Sequence, residues 1–159
     1  LLTRVSGLNP TVAKAVVRWR DENGAFESRT QLMDVAGLAA RRIPLGLATD
    51  TGGGSSFSML RTMAAAYEIG QLRGTALHPS QLMWLATEGS AQALHMSGQI
   101  GHLGAGAMAD IIVLDLASTP AIAQRNARAT DIWDALFPTI MMGDDRAIAD
   151  VWVAGKPTA

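Results

Sequence analysis

The sequence predicts an α+β chain: a helical hairpin unit first, then one strand ending at Asp50, two helices, and a small β-rich element. Three observations carry that reading. Apolar residues recur at helical spacing between Pro10 and Asn23, a short apolar run ends at Thr49-Asp50 before a glycine loop, and residues 111–116 and 149–154 have strand composition. With 48% apolar and 17% charged residues over 159 positions, the composition is globular, and the length suits one ordinary domain or two small ones.

The formal charge of -1 supplies no global field toward nucleic acid or anionic lipid, so any polyanion contact must be local. The absence of cysteine excludes disulfides and thiolate zinc sites and is compatible with a cytoplasmic location, the expected one. The longest apolar runs, such as Ile111 to Leu114, are far too short to span a bilayer, and no membrane partner is expected. Leu1-Leu2-Thr3-Arg4 does not read as a signal peptide. The chain begins with Leu rather than Met, which suggests a fragment, a processed product or a fusion.

Taken in order, residues 1–40 form the first expected domain. Leu2-Thr3-Arg4-Val5-Ser6-Gly7-Leu8 is echoed by Leu32-Met33-Asp34-Val35-Ala36-Gly37-Leu38, the mark of a duplicated unit. After the first copy, Asn9 suits a helix N-cap and Pro10 the first helical position. Val12, Val16 and Trp19 make one stripe, with Lys14, Arg18 and Asp21 opposite. Gly24 ends this helix, and Ser28 with Gln31 forms a capping box for another. This pattern resembles the helix-hairpin-helix repeat, and the stretch through Leu38 looks most like the tandem repeat of the Tex family of transcription-associated proteins. The resemblance implies weak, non-specific contact with a DNA or RNA backbone through Gly7, Asn9 and Lys14, where amide groups at a helix start hold a phosphate. Asn9 and Ala39 replace the hairpin's usual second glycine, and Pro44 and Gly46 break the helix expected after Leu38.

Residues 41–159 form the second expected domain. The run from Arg42 to Ala48 reads as a strand that delivers Thr49-Asp50 to a glycine loop, Thr51-Gly52-Gly53-Gly54-Ser55-Ser56. A barrel presents a catalytic carboxylate at its rim in this way. Phe57 to Ile69 reads as a helix, with Met59, Met63 and Ala66 repeating toward a core and Leu60 and Tyr67 beside them. A second helical pattern runs from Pro79 toward Leu94. Gly101, Gly104 and Gly106 mark a turn, Ile111 to Leu116 and Ala149 to Ala154 are strands, and Asp131 to Leu136 is a short helix that Pro138 ends.

Three blocks in order resemble the C-terminal part of guanine deaminases of the amidohydrolase superfamily. They are Ala48-Thr49-Asp50-Thr51-Gly52-Gly53-Gly54-Ser55-Ser56-Phe57-Ser58-Met59-Leu60, the hairpin Ile100-Gly101-His102-Leu103-Gly104-Ala105-Gly106-Ala107-Met108-Ala109-Asp110, and Gly143-Asp144-Asp145-Arg146 with Val151-Trp152-Val153-Ala154-Gly155-Lys156. Ala48 stands where the family opens with glycine. The resemblance implies a partial amidohydrolase fold: the last barrel strand, helices and a small β domain. It also implies a zinc-activated water that attacks the amino-bearing carbon of guanine, releasing ammonia and xanthine. Asp50 matches the last-strand aspartate, which is both catalytic proton acceptor and weak metal contact. The family's histidine ligands lie upstream, and residues 1–49 contain no histidine. His78, His95 and His102 match no ligand position and read as surface or packing residues. Zinc is therefore expected in the resembled family and not in this chain alone, and guanine is a substrate only of a complete enzyme. Three readings stand: an inactive deaminase-like piece, a nucleic-acid-binding module, or a fusion without function.

Overall fold

The computed structural model describes residues 10–25 and 44–158. The chain divides into two compact units, Leu1–Ile43 and Pro44–Ala159. Of the first unit, α1 (Pro10–Asn23) is described. Its amphipathic pattern holds: Val16, Val17 and Trp19 are half-buried, while Lys14, Arg18 and Asp21 are exposed. Asn23 donates its side-chain amide to the Trp19 carbonyl at 2.9 Å. Gly24, at φ 89°, then ends the helix in left-handed backbone, with its N–H on the Arg20 carbonyl, as the sequence predicts. Both predicted hairpins, including Gly7 and Asn9, and the Ser28–Gln31 capping box lie outside the described residues.

In the second unit, α2 (Met59–Leu72), α3 (Pro79–Ala86) and α4 (Glu88–Ala93) come first. They are followed by β1 (Ile111–Leu114), α5 (Pro120–Asn126), α6 (Ile132–Met142), β2 (Ile148–Val153) and β3 (Lys156–Pro157). The core is helical. Leu60 and Met63 of α2, Leu82 of α3, Ile140 of α6 and Ala147 are buried together, with Met59, Ala66 and Tyr67 packed around them. The methionine stripe of α2 is therefore core packing, as its spacing indicates.

Three expectations are corrected. The predicted strand before Asp50 is irregular from Pro44 onward, because no strand among the described residues runs beside it to complete a ladder. Instead the Leu47 N–H bonds the Leu85 carbonyl at 2.9 Å. The single helix expected from Pro79 to Leu94 breaks at Thr87, whose φ of -124° and ψ of -98° leave the helical region and turn the chain into α4. Pro138 does not end its helix: α6 continues to Met142 through a buried Pro138, Thr139 and Ile140. A proline inside a helix costs about 3 kcal/mol. Burying Ile140 and its neighbours returns about 1.5–3 kcal/mol per large side chain, so packing carries the helix past the break.

The sheet is antiparallel in the order β1-β2-β3. Ile111 faces Trp152 and Ile112 faces Val151, with a register shift between Val113 and Leu114. The β2–β3 turn places Ala154 at φ 50° and Gly155 at φ 76°, the paired left-handed conformation that suits a two-residue hairpin. Asp110 accepts the Ala154 N–H at 2.8 Å, and the Ala109 carbonyl accepts the Gly155 N–H at 2.9 Å. The Ala-Asp pair of the second motif thus clasps the hairpin turn near the end of the chain.

Candidate functional site

Asp50 is half-buried at the start of the glycine turn, and its backbone lies in the left-handed region at φ 54°. Its carbonyl accepts two backbone N–H groups, from Gly53 at 2.9 Å and Gly54 at 2.6 Å. A Cβ at position 54 would overlap the Thr49 carbonyl oxygen, so the turn closes only around glycine there. Thr49 and Thr51 bring their hydroxyls within 3.2 Å of each other on either side of Asp50.

The segment that carries Asp50 is fixed from below by Ser90. Its hydroxyl lies 2.8 Å from the Leu85 carbonyl and 3.1 Å from the Leu47 carbonyl, and can donate to either. Gly46 sits so close to Ser90 that a Cβ would overlap it. On the other side of the turn, Ser56 accepts the Ser58 N–H at 3.0 Å, and the Ser58 side chain caps α2 by accepting from the Arg61 N–H. The catalytic candidate is therefore held between the α3–α4 pair and the start of α2. Ser90 carries no motif of its own; its role depends on a contact 43 residues distant in sequence.

The three histidines are placed elsewhere. His78 is the N-cap of α3: its Nδ1 accepts the Ser80 N–H at 3.2 Å, and Gln81 returns a bond to the His78 N–H at 2.8 Å, completing a capping box. His95 has left-handed backbone (φ 59°) just past α4 and is exposed. His102 is half-buried, and its Nδ1 accepts the Gly104 N–H at 2.9 Å inside the glycine turn. Zinc does not fit the described residues. Among the described residues no group of three or more His, Cys, Asp or Glu is arranged to hold a metal ion. A catalytic zinc site uses three protein ligands and a water.

The Gly143-Asp144-Asp145-Arg146 motif turns the chain from α6 into β2. Gly143 packs against Leu60, and a Cβ there would overlap the Thr139 carbonyl. The Arg146 guanidinium grips Asp144 with Nη2–Oδ2 at 2.6 Å and Nε–Oδ1 at 3.0 Å. These side-chain bonds hold the Asp144 carboxyl below its usual range and raise Arg146. The motif borders a cleft of about 850 Å³ between the start of α2 and the apolar sheet face of Ile112, Leu114 and Val151. That lining begins at Ser55 and does not include Asp50. Of the proposed phosphate contacts, Lys14 is exposed on α1. No helix among the described residues is long and apolar enough to cross a membrane.

The chain resembles known proteins over most of its length. It is 34% identical over 116 residues to the guanine deaminase of Escherichia coli (strain K12), covering 73% of this chain and 26% of that protein. Identity to the guanine deaminase of Homo sapiens is 30% over 143 residues, covering 84% of this chain and 32% of that protein. The solved structure of E. coli guanine deaminase superposes with a TM-score of 0.72 at 33% identity, over 76% of this chain and 28% of that one. This chain thus spans about a quarter to a third of the length of these relatives. The amidohydrolase family model matches residues 7–158, starting inside the segment read from sequence as helix-hairpin-helix. With nearly the whole chain matched, the protein belongs to the amidohydrolase family.

Proposed function

We propose that this chain contributes the proton-accepting carboxylate of a guanine deaminase-type site and does not turn guanine over alone. The observation that supports this most directly is the backbone of Asp50. A non-glycine residue in left-handed conformation, held by two amide groups at the head of a glycine turn, is the kind of over-determined position that gathers at reactive sites. Deprotonated Asp50 accepts a proton from the attacking water as its oxygen bonds the amino-bearing carbon of guanine. The same carboxyl then passes the proton to the amine as the carbon–nitrogen bond breaks, leaving ammonia and xanthine. No step through zinc is assigned to this chain, because its described residues do not fit the metal. The similarity to guanine deaminases supports guanine over other ring substrates.

The test is complementation. The 159-residue chain is mixed with a guanine deaminase cut before its C-terminal part, and guanine loss is followed by absorbance. The chain alone should give no turnover, and the mixture should restore it. Asp50→Asn should lower the restored rate by about 10²-fold or more. Turnover by the chain alone, or an undiminished rate with Asp50→Asn, would overturn the reading.

A further inference from the structure

A second cleft, of about 440 Å³, opens at the far end of α2 between that helix, the start of α3 and the start of α6. It is a different place from the Asp50 turn. The Asp50 turn precedes Met59, and Tyr67 and Gln71 of the cleft lie 8 and 12 residues beyond it along α2, roughly 12 and 18 Å at the helical rise. Four rings line the cleft in two edge-to-face pairs. Tyr67 and Phe137 have centroids 5.0 Å apart at 68°, and His78 and Trp133 lie 6.2 Å apart at 67°. Two carboxylates, Asp131 and Asp134, join the rings in a lining that also includes Gln71, Leu77 and Pro79 and contains no Lys or Arg.

We infer that this cleft binds a small methylated ammonium ion. An anion is disfavoured although two helices start here, because their first N–H groups are already taken. Asp131 Oδ1 accepts from the Trp133 and Asp134 N–H groups at 2.8 and 2.9 Å, and His78 accepts from Ser80. What remains is negative charge and aromatic surface. Asp131 uses Oδ1 for the cap, and Asp134 uses Oδ2 for Thr130, so each carboxylate spends one oxygen on these local bonds, and both residues are exposed. Tyr67 is held by Gln71, whose amide donates to the phenol oxygen at 2.7 Å. Trp133 is 37% exposed, so its ring is accessible from solvent.

Aromatic faces attract cations, and the attraction is strongest for a charge that gives up little hydration on entry. A quaternary ammonium meets that condition, and its methyl groups need no hydrogen-bond acceptors. A primary amine needs three. The volume lies within the range of small-molecule sites. The inference is independent of the deaminase reading, since no residue near Asp50 takes part.

The probes are choline and its uncharged carbon analogue, neohexyl alcohol, titrated into the full chain and followed by NMR at the Tyr67 and Phe137 rings. Choline should saturate and bind roughly tenfold more tightly than the alcohol. Trp133→Ala and Asp134→Asn should each weaken choline several-fold while resonances of the buried core keep their positions. Equal binding of the two probes would make the cleft a simple apolar pocket and overturn the inference. Lack of saturation by choline, or unchanged binding by a folded Trp133→Ala variant, would do the same.

Discussion

Thr139 is fully buried in α6, and among the described residues its hydroxyl has no partner. An unsatisfied buried polar atom carries a desolvation cost of about 1–3 kcal/mol, and valine fills nearly the same shape without it. Thr139→Val should therefore raise the stability of the second unit by about 1 kcal/mol, read as a higher urea midpoint at unchanged slope. The turn after Asp50 was legible from sequence because Thr49-Asp50-Thr51 runs into three glycines, a strong local pattern. The left-handed backbone of Asp50 was not, since that follows from where the Gly53 and Gly54 amides end up. The work of Ser90 and Asp110 was equally hidden. Each acts on a partner more than forty residues away, and a single sequence does not show such pairs.

His78 gives the α3 start both halves of a capping box, and Pro79 occupies the first helical position. The His78→Ala variant should lose about 1 kcal/mol of stability, measured by urea unfolding monitored through circular dichroism. A second element-level effect depends on pH. The Ser97 hydroxyl, then the Gln92 amide, donate to Glu88 and hold its carboxyl below the ordinary 4.5. A carboxyl depressed in the folded state stabilises above its unfolded pKa and loses that contribution as pH falls through the folded value. Ser97→Ala should thus be less stable than the parent at neutral pH, with the difference closing in acid below 4.5, and Glu88 should titrate nearer 4.5 by NMR. Helices α1 and α2 were readable because the apolar period runs along each, and Gly24 ends the first. The α3–α4 break and the passage of α6 through Pro138 were not. In both places tertiary packing outweighs the local preference, at Gly89 against Trp84 and at the buried Pro138–Ile140.

At the scale of the whole molecule, sequence and structure part over the first strand. Apolar composition between Arg42 and Ala48 predicted a strand, yet a strand exists only when another lies beside it, and composition cannot report the neighbour; Leu45 and Ala48 are exposed and Leu47 is half-buried. The strands of the sheet were legible because their apolar, β-branched composition is local. The same view of the whole chain bears on metal. With no suitable cluster among the described residues, the purified chain should carry far less than one zinc per molecule after desalting, measured by atomic emission. Stoichiometric retention would refute the assignment of Asp50 to a site completed by other residues.

The clasp between Asp110 and Ala154 joins residues 44 positions apart, and β2, the central strand, is also late in the chain. During synthesis β1 must therefore wait, apolar and unaccompanied, until residues 148–157 clear the ribosome. A stop codon between α6 and β2 would leave the helices with a core and the early strand as an orphan, making β2 a guardian of solubility.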